Sequence, residues 1–372
     1  MDAERETMGI LVVGAGFLGK QRAAAAATVR GTSVVGVVDP DLDRARDVAA
    51  RHGAFAVADL DQGLDLAGVD AVVVATPHAD HFGSVELSLA RGKHVLCEKP
   101  LAIDADDARR LARQADDAGL RLATGFNHRA YPPVRDALAI AGAGGIGRVE
   151  SVRVQIGHPA TAGFLDGWHG DREVSGGGTL VDNGPHACDL IRLFLGEVSA
   201  VTGTLRHDPA GPVGCEREAF GLLRGEGDGV GELHSSWNLR AGYLSIEVRG
   251  GSGWLAVETA PWRLRGRLED GRCLDRRYLV DRLAARAFAR RAGCEPSIAA
   301  ELGAFAAPRG AGPSPFADGW DGCRAAEIVG ALYESDRRGA EVALPMTRRA
   351  RSTSPVLAPA DRGDLAGGPG TG

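Results

Sequence analysis

The stretch ILVVGAGFLG, residues 10–19, decides the fold of the first part of the chain. An apolar run leads into the glycine pattern G-x-G-x-x-G, which opens a helix-like stretch. In such a strand–turn–helix unit the first glycine permits a tight turn, the second lets a pyrophosphate approach the backbone, and the third allows close helix–strand packing. The N-terminus of the helix then faces the negative charge. The pattern predicts a dinucleotide site made by Gly14, Gly16, Phe17, Leu18 and Gly19.

A carboxylate follows at the distance that this kind of site requires. The second β-branched run, TSVVGVVD, ends in Asp39, which comes 20 residues after Gly19. There it can accept hydrogen bonds from the hydroxyls of the adenosine ribose, and it would repel the 2′-phosphate of NADP. Arg44 and Arg46 are close enough in sequence to bind such a phosphate instead. We therefore predict NAD as the cofactor, with NADP as the less favoured alternative.

Strand-like and helix-like segments alternate through the first third of the chain. Predicted strands at Gly9–Val13, Ser33–Asp39, Ala71–Ala75 and His94–Cys97 are separated by helical stretches. This alternation is typical of right-handed βαβ units around a parallel sheet. We predict an α/β Rossmann domain with a doubly wound parallel sheet in residues 1–128.

The pattern changes near Arg148 to extended segments joined by turns. Two predicted helices, Gly178–Phe194 and Asp318–Arg337, accompany these segments. Many consecutive strands favour a mixed or antiparallel open sheet of the α+β kind. We predict a C-terminal substrate and oligomerisation domain at 129–347, and a disordered tail without a role at 348–372.

Composition and charge exclude several classes of partner. The formal net charge is -6 over 372 residues and the charged residues are interspersed, so nothing indicates a nucleic-acid partner. No apolar run approaches the ~18 residues that span a bilayer, and the first residues lack the features of a signal peptide. We expect a cytoplasmic protein with a small-molecule substrate and no membrane partner. The six cysteines form no C-x-x-C pair, so we expect free, mostly buried thiols.

Two sequence blocks resemble the glucose-fructose oxidoreductase and inositol dehydrogenase (Gfo/Idh/MocA) family. The first, ATPHADHFGSVELSLARGKHVLCEKP at 75–100, contains the family pattern G-K-H-V-x-x-E-K-P. The second, SGGGTLVDNGPHACDLIRLFLG at 175–196, contains G-G-x-x-x-D-x-x-x-H. The resemblance spans Gly9 to Pro345. His78 stands where the family commonly has asparagine, and Ala130 stands where an aromatic residue is common, so the substrate pocket is expected to differ in detail.

The resemblance implies roles for residues around the cofactor and the substrate. It places Lys99 as an acid/base and substrate-positioning residue and associates the Glu98–Lys99–Pro100 motif with a cis peptide bond between Lys99 and Pro100. It also implies cofactor contacts from Thr76, Pro77, His81, Glu98, Lys99 and Asn127. Arg129 and Trp168 are implied at the substrate, where an indole can stack on the apolar face of a sugar ring. A homodimer or homotetramer is implied as well.

Elementary chemistry supports a catalytic role for three of these positions. Oxidising an alcohol requires a proton acceptor beside the hydride acceptor. Lys99 follows a predicted strand, at the edge where open α/β sheets bind ligands. Asp182 and His186 are four residues apart on a predicted helix, so their side chains share one face. Either Lys99 or His186 can be the base, and Asp182 can bind a neighbouring hydroxyl or favour the imidazolium.

The predicted function is NAD(P)-dependent hydride transfer to or from a secondary alcohol of a sugar, inositol or aminocyclitol ring, including antibiotic sugars such as aminoglycosides. Two alternatives stay open: NAD-dependent glycoside cleavage, and a non-catalytic NAD(P)-binding regulator. Asp182 and His186 could also be two metal ligands, but a third and a fourth are not visible in the sequence, so we predict no metal.

Overall fold

The computed structural model describes residues 7–209, 211–307 and 316–344. The predicted tail at 348–372 lies outside these described residues. Strands and helices are numbered here in chain order.

The first sheet is parallel and doubly wound. Its strands stand in the order β15-β6-β5-β4-β1-β2-β3, and all neighbours are parallel except β15, which pairs antiparallel with β6. The strands are β1 (Met8–Val13), β2 (Thr32–Val38), β3 (Phe55–Val57), β4 (Ala71–Val74), β5 (His94–Cys97), β6 (Leu122–Thr124) and β15 (Ala317–Asp318). This arrangement confirms the predicted Rossmann fold.

Helices cover both faces of this sheet, which explains why its central strands are apolar throughout. They are α1 (Phe17–Thr28), α2 (Leu42–Ala50), α3 (Leu60–Leu64), α4 (His81–Ala90) and α5 (Ala105–Asp117). Ile10, Leu11 and Val12 of β1 are completely buried. The carboxyl ends of the parallel strands therefore meet at one edge, where β1, β4 and β5 lead into the predicted cofactor residues.

The second sheet is mixed and open, as predicted. Its order is β14-β13-β12-β11-β7-β10-β9-β8-β16, and only β7 and β10 are parallel neighbours among the described strands. The strands are β7 (Val149–Pro159), β8 (Val198–His207), β9 (Glu216–Gly225), β10 (Val230–Ser236), β11 (Asn238–Gly250), β12 (Gly253–Thr259), β13 (Trp262–Arg267), β14 (Cys273–Arg277) and β16 (Val342–Ala343).

The remaining helices connect and cover the two sheets. They are α6 (Pro132–Gly142), α7 (Ala162–Leu165), α8 (Arg172–Ser175), α9 (Thr179–Asp182), α10 (Gly184–Leu195), α11 (Leu279–Ala292), α12 (Pro296–Ala306) and α13 (Gly319–Arg338). Helices α10 and α13 pack on the second sheet, whereas α12 packs on α1 and α13 also packs on α5. The helices α13 and α12 thus tie the end of the described chain to the first sheet.

The predicted single helix Gly178–Phe194 is wrong in one respect. The structure has two helices, α9 and α10, that meet at Asn183. Pro185 lies in the first turn of α10 and has no backbone N–H, so it suits a helix start and not a helix interior. Asp182 therefore ends one helix, and His186 lies in the first turn of the next.

Two further expectations concern the thiols and the membrane. All six cysteines are free, and five of them are buried while Cys273 is exposed, which confirms the prediction. Within the described ranges no helix has the length and apolar character needed to cross a bilayer.

Candidate active site

The glycine-rich turn after β1 has the shape that a pyrophosphate requires. Gly14 has φ +93°, and a Cβ there would lie 2.4 Å from the carbonyl oxygen of Ala75. A Cβ on Gly19 would lie 1.8 Å from the carbonyl oxygen of Gly14. Helix α1 begins after Gly16 without a side-chain cap, so its first N–H groups are available to an anion. These features fit a bound dinucleotide.

Asp39 holds this turn from the end of β2. Its Oδ2 accepts a hydrogen bond from the backbone of Ala15 at 2.8 Å, and its Oδ1 accepts one from the backbone of Asp41 at 2.9 Å. Each carboxylate oxygen can accept a second hydrogen bond, so ribose hydroxyls can still bind. Arg44 lies 3.7 Å from the same carboxylate. The carboxylate thus neutralises the arginine that could otherwise bind a 2′-phosphate.

Thr76 and His81 lie at the neighbouring strand end, after β4. The Oγ1 of Thr76 is buried without a hydrogen-bond partner in the described structure, and a ligand hydroxyl or phosphate would satisfy it. Pro77 caps the following 3-10 turn. His81 is fully buried, and its two ring nitrogens lie 2.7 and 3.0 Å from the carbonyl oxygens of Pro100 and Thr76, one of which accepts the N–H of the neutral ring. It therefore holds together the two loops that carry Thr76 and Lys99.

Glu98 belongs to a buried ionic cluster that the sequence did not indicate. Its Oε1 accepts a hydrogen bond from Nε of Arg22, at 2.7 Å, and Glu301 of α12 lies 2.6 Å from the same guanidinium. Arg22 is 1% exposed although it lies on α1. Nearby, the side-chain amide of Asn127 donates to Ser297 at 3.0 Å. Both contacts join the cofactor side of the site to α12.

Lys99 reaches from the first sheet to α9. Its peptide bond to Pro100 is cis, as expected. Its Nζ lies 3.0 Å from Oδ1 of Asp182 and donates to the carbonyl oxygen of the same residue at 2.5 Å. Both side chains are 13% exposed. The amine and the carboxylate predicted from separate motifs thus meet in one place.

Asp182 is the centre of this arrangement. Its Oδ2 accepts hydrogen bonds from Nε2 of His158 at 2.8 Å and from Nε1 of Trp237 at 3.0 Å. Although burial raises the pKa of Asp182, the charge of Lys99 and the bonds from His158 and Trp237 outweigh it and hold this pKa well below its usual value. The carboxylate is therefore ionised. Neither His158 nor Trp237 was predicted from the sequence as a site residue.

His186 lies behind the carboxylate and packs on a second imidazole. Its ring stacks on His128 with centroids 4.0 Å apart, and Phe126 meets its edge at 5.7 Å. The Nδ1 atoms of His186 and His128 are both buried and lack partners within the described residues. Burial lowers the pKa of His186 well below its ordinary value, and the charges of His128 and Lys99 add to this effect. Burial likewise lowers the pKa of His128, to about 3.

The two residues implied at the substrate have protein partners of their own. Arg129 is buried and pairs with both carboxylate oxygens of Asp189 on α10, and it lies 3.0 Å from Asp321. Trp168 stacks on His169 at 3.7 Å and meets His78 edge-on at 4.8 Å. Their contacts with a substrate stay predictions. Over the described ranges no group of three or more His, Cys, Asp or Glu residues is arranged to hold a metal.

Family models match both halves of this chain. Residues 8–126 match the oxidoreductase family with a NAD-binding Rossmann fold, and residues 134–256 match the GFO/IDH/MocA C-terminal domain. The chain belongs to the Gfo/Idh/MocA oxidoreductase family. It is an oxidoreductase with a NAD-binding Rossmann fold, which confirms the resemblance and the cofactor predicted from the glycine turn and Asp39.

Three individual proteins illustrate the similarity of this Gfo/Idh/MocA chain to others. A 1,5-anhydro-D-fructose reductase of Ensifer adhaerens is 30% identical over 66% of this chain and 74% of its own length. The structure of GenD2 from gentamicin A biosynthesis, in complex with NAD, has a TM-score of 0.73 and 28% identity, and covers 93% of this chain and 99% of its own. A levoglucosan dehydrogenase structure with NADH shares the fold, with a TM-score of 0.78 at 22% identity over 92% and 100% of the two chains.

Proposed function

We propose that this oxidoreductase transfers a hydride between NAD and a secondary alcohol or ketone of a polyhydroxylated ring, such as a sugar, an inositol or an aminocyclitol. The observation that carries the proposal is the 3.0 Å contact between Nζ of Lys99 and Oδ1 of Asp182. Lys99 follows β5, at the same edge of the first sheet as the glycine turn. The similarity to a 1,5-anhydro-D-fructose reductase and to GenD2 supports a sugar-like ring. Rings of antibiotic sugars belong among the candidate substrates for the same reason.

The chain's own residues supply binding and proton transfer. Bound NAD supplies the hydride acceptor in the direction of alcohol oxidation. The Lys99 amine is a hydrogen-bond donor that can hold the substrate oxygen at a fixed place. Asp182 orients this amine and can accept a hydrogen bond from the hydroxyl on the neighbouring carbon. The indole of Trp237 and the imidazole of His158 fix the carboxylate in turn.

We assign His186 as the group that accepts the hydroxyl proton. Burial lowers its pKa, which keeps the ring neutral at physiological pH, in the form that can take up a proton, although the same shift makes it a weaker base. Its buried Nδ1 has no partner in the described structure, which is unusual for a histidine that has only a packing role. Lys99 then acts as donor and positioning group in this direction.

The cofactor contacts are assigned to Gly14, Gly16, Phe17, Leu18, Gly19, Asp39, Thr76 and Pro77, with His81, Glu98 and Asn127 acting mainly through the loops that they hold. Trp168 is assigned to the substrate. Arg129 is assigned to positioning, because its guanidinium is held by Asp189 on the helix that carries His186.

A turnover screen tests this proposal. NAD and NADP are supplied with panels of sugars, inositols and aminocyclitols, and absorbance at 340 nm is followed in both directions. The proposal requires turnover with at least one ring, and loss of turnover in Lys99→Ala. Full turnover in Lys99→Ala would contradict the assignment. Release of a glycone without net NADH would instead support glycoside cleavage, and cofactor binding without turnover on any ring would support a regulator.

We also propose that the chain forms a homodimer or homotetramer through the open face of the second sheet. On that face Phe220 and Leu222 of β9 are 43% and 56% exposed. Exposed apolar side chains on a broad sheet favour burial against a second subunit.

A further inference from the structure

A row of aromatic rings leads away from the proposed proton acceptor. His186 stacks on His128, and His128 lies 4.8 Å from Tyr131, with the two rings tilted by 38°. Tyr131 in turn lies 5.8 Å from Trp262, tilted by 35°. His186 is buried, whereas the other three side chains are half-buried. The row therefore begins at the proposed proton acceptor, His186, and ends at Trp262, which is accessible to solvent.

The three outer rings line a large cavity. It has a volume of about 1070 Å³ and lies between the start of α6, the helices α11 and α12, and strands β7, β11 and β13. His158 and Asn183, which both hydrogen-bond Asp182, line its inner end. The residues of the glycine turn, Asp39 and Thr76 are not among its lining residues. The cavity thus adjoins the site at His158 and Asn183, away from the glycine turn, Asp39 and Thr76, and it reaches the loop of Asn127 through Ser297.

The size of this cavity exceeds the needs of one sugar ring. Cavities that enclose a drug-sized ligand measure about 300–1,000 Å³, and a single pyranose is smaller than such a ligand. Lys99, Asp182 and His186 are not among the lining residues, so a one-ring substrate held by them would leave most of the cavity to water.

The walls of the cavity suit a second polyhydroxylated ring. Tyr131 and Trp262 offer flat surfaces on which the apolar face of a sugar ring can lie. The opposite wall, α11, carries alanines together with Arg286 and Asp281, and Glu295 follows it. Acceptors and donors of both charges can hydrogen-bond hydroxyl groups without requiring a charged ligand.

We infer that the substrate is a glycoside of at least two rings, with its reacting ring at Lys99, Asp182 and His186 and its second ring in the cavity against Tyr131 and Trp262. This inference rests on the proposed function, since it takes the reacting ring from there. It narrows the substrate class to glycosides whose second ring contributes to binding.

Matched probes with one and two rings test the inference. Binding to the NADH-loaded protein is measured by calorimetry for D-glucose against cellobiose and maltose, and for 2-deoxystreptamine against neamine. At least one two-ring probe should bind about tenfold more tightly than its one-ring counterpart, which corresponds to 1.4 kcal/mol. Ala285→Trp, which places an indole in the cavity from α11, should remove this preference and leave the affinity for the one-ring probe unchanged.

A second tryptophan on the same helix is the matched control. Leu283 is 66% exposed and does not line the cavity, so Leu283→Trp should keep the preference. Equal thermal melting of the two variants excludes misfolding as the cause of a difference. The inference is overturned if one-ring probes bind as tightly as their two-ring partners, if no two-ring probe binds, or if the preference survives in Ala285→Trp.

The proposed function is tested separately, by measuring NADH formation. If single rings are turned over and no two-ring preference is found, hydride transfer is supported and the second subsite is wrong. If two-ring probes bind, if Ala285→Trp abolishes this binding, and if no ring is turned over, then the second subsite is supported and the proposed hydride transfer is wrong.

Discussion

Asp182 and Lys99 are 83 residues apart in the chain, and their side chains meet at 3.0 Å. The same carboxylate also accepts hydrogen bonds from His158 and Trp237. One side chain thereby connects the last turn of α9, the end of β5, and the ends of β7 and β10. The site depends on this carboxylate because four polar side chains contact it, those of Lys99, His158, Trp237 and Asn183.

Asp182→Asn should lower kcat/KM by about 10²- to 10⁴-fold, the range for loss of a positioned polar catalytic group. The amide has no charge to oppose that of Lys99 and presents only one acceptor oxygen. NADH affinity, measured by fluorescence titration, should stay within about twofold of the wild-type value, or 0.4 kcal/mol, since Asp182 is not among the residues assigned to the cofactor. Asp166→Asn, at an exposed position, is the control and should retain full activity. Wild-type kinetics in Asp182→Asn would show that the carboxylate of Asp182 has no part in the mechanism.

The pH dependence of alcohol oxidation should reflect the lowered pKa of His186. Its neutral ring is the active form, and a lower pKa moves the loss of that form to more acidic pH. The rate should therefore stay on its plateau as pH falls through the ordinary histidine value of about 6.5.

His158→Gln separates a second titration from this one. Burial lowers the pKa of His158, but the hydrogen bond and charge of Asp182 outweigh it and raise this pKa above 6.5. Profiles of kcat/KM against pH for the wild type and His158→Gln check the expectation. A half-maximal rate at pH 6.5 or above that persists in His158→Gln would show that His186 is not the base.

Asp39→Asn should shift the preference from NAD toward NADP by about tenfold, or 1.4 kcal/mol. The amide oxygen can still accept from the backbone of Ala15, while the negative charge beside Arg44 is lost. The ratio of kcat/KM values for the two cofactors is the measurement. Asp41→Asn is the matched control, because Asp41 also pairs with Arg44 but is exposed. An equal shift in both variants would argue against a specific role of Asp39.

Arg22→Met should destabilise the fold by about 3–5 kcal/mol, since it leaves buried carboxylates without their counter-charge. Glu98 and Glu301 are the carboxylates concerned, and the latter is 3% exposed. Combining Arg22→Met with Glu98→Gln and Glu301→Gln should restore part of this loss. Chemical denaturation of the wild type, Arg22→Met and the triple variant decides, and an Arg22→Met variant as stable as the wild type would show that the cluster contributes little.

Leu222→Arg should convert the proposed assembly into monomers. The guanidinium would have to lose its water at the subunit interface, and Glu232, which faces position 222 from β10, already pairs with Arg153. Light scattering after size exclusion gives the mass of each species. Val213→Arg, at a site that is 93% exposed in a loop, should keep the assembly. A mutant at 222 with the wild-type mass would place the interface elsewhere.

The sequence predicts the nucleotide half of the molecule better than the substrate half. The turn at Gly14 and the carboxylate at Asp39 are encoded locally, within one βαβ unit, so spacing alone locates them. Lys99 and Asp182 could be named from motifs, but their contact depends on how the two sheets pack.

His158 and Trp237 were missed for a related reason. His158 is the next-to-last residue of β7 and Trp237 directly follows β10, and these strands are parallel neighbours, so their carboxyl ends coincide. The rule that located Lys99 would have located this pair as well, had the parallel pairing been evident within a largely antiparallel sheet. The burial of Arg22 could not be predicted from the sequence either, because a charged residue on a helix is normally exposed to solvent.

Strand β15 has a consequence for how the molecule is put together. It adds residues 317–318 to the edge of β6, and α13 then covers α5. A polypeptide consisting of residues 1–128 alone would leave that edge unpaired and the apolar flank of α5 facing water. The nucleotide-binding half is therefore completed by β15 and α13, and a nascent chain cannot finish it before residue 338 has been translated.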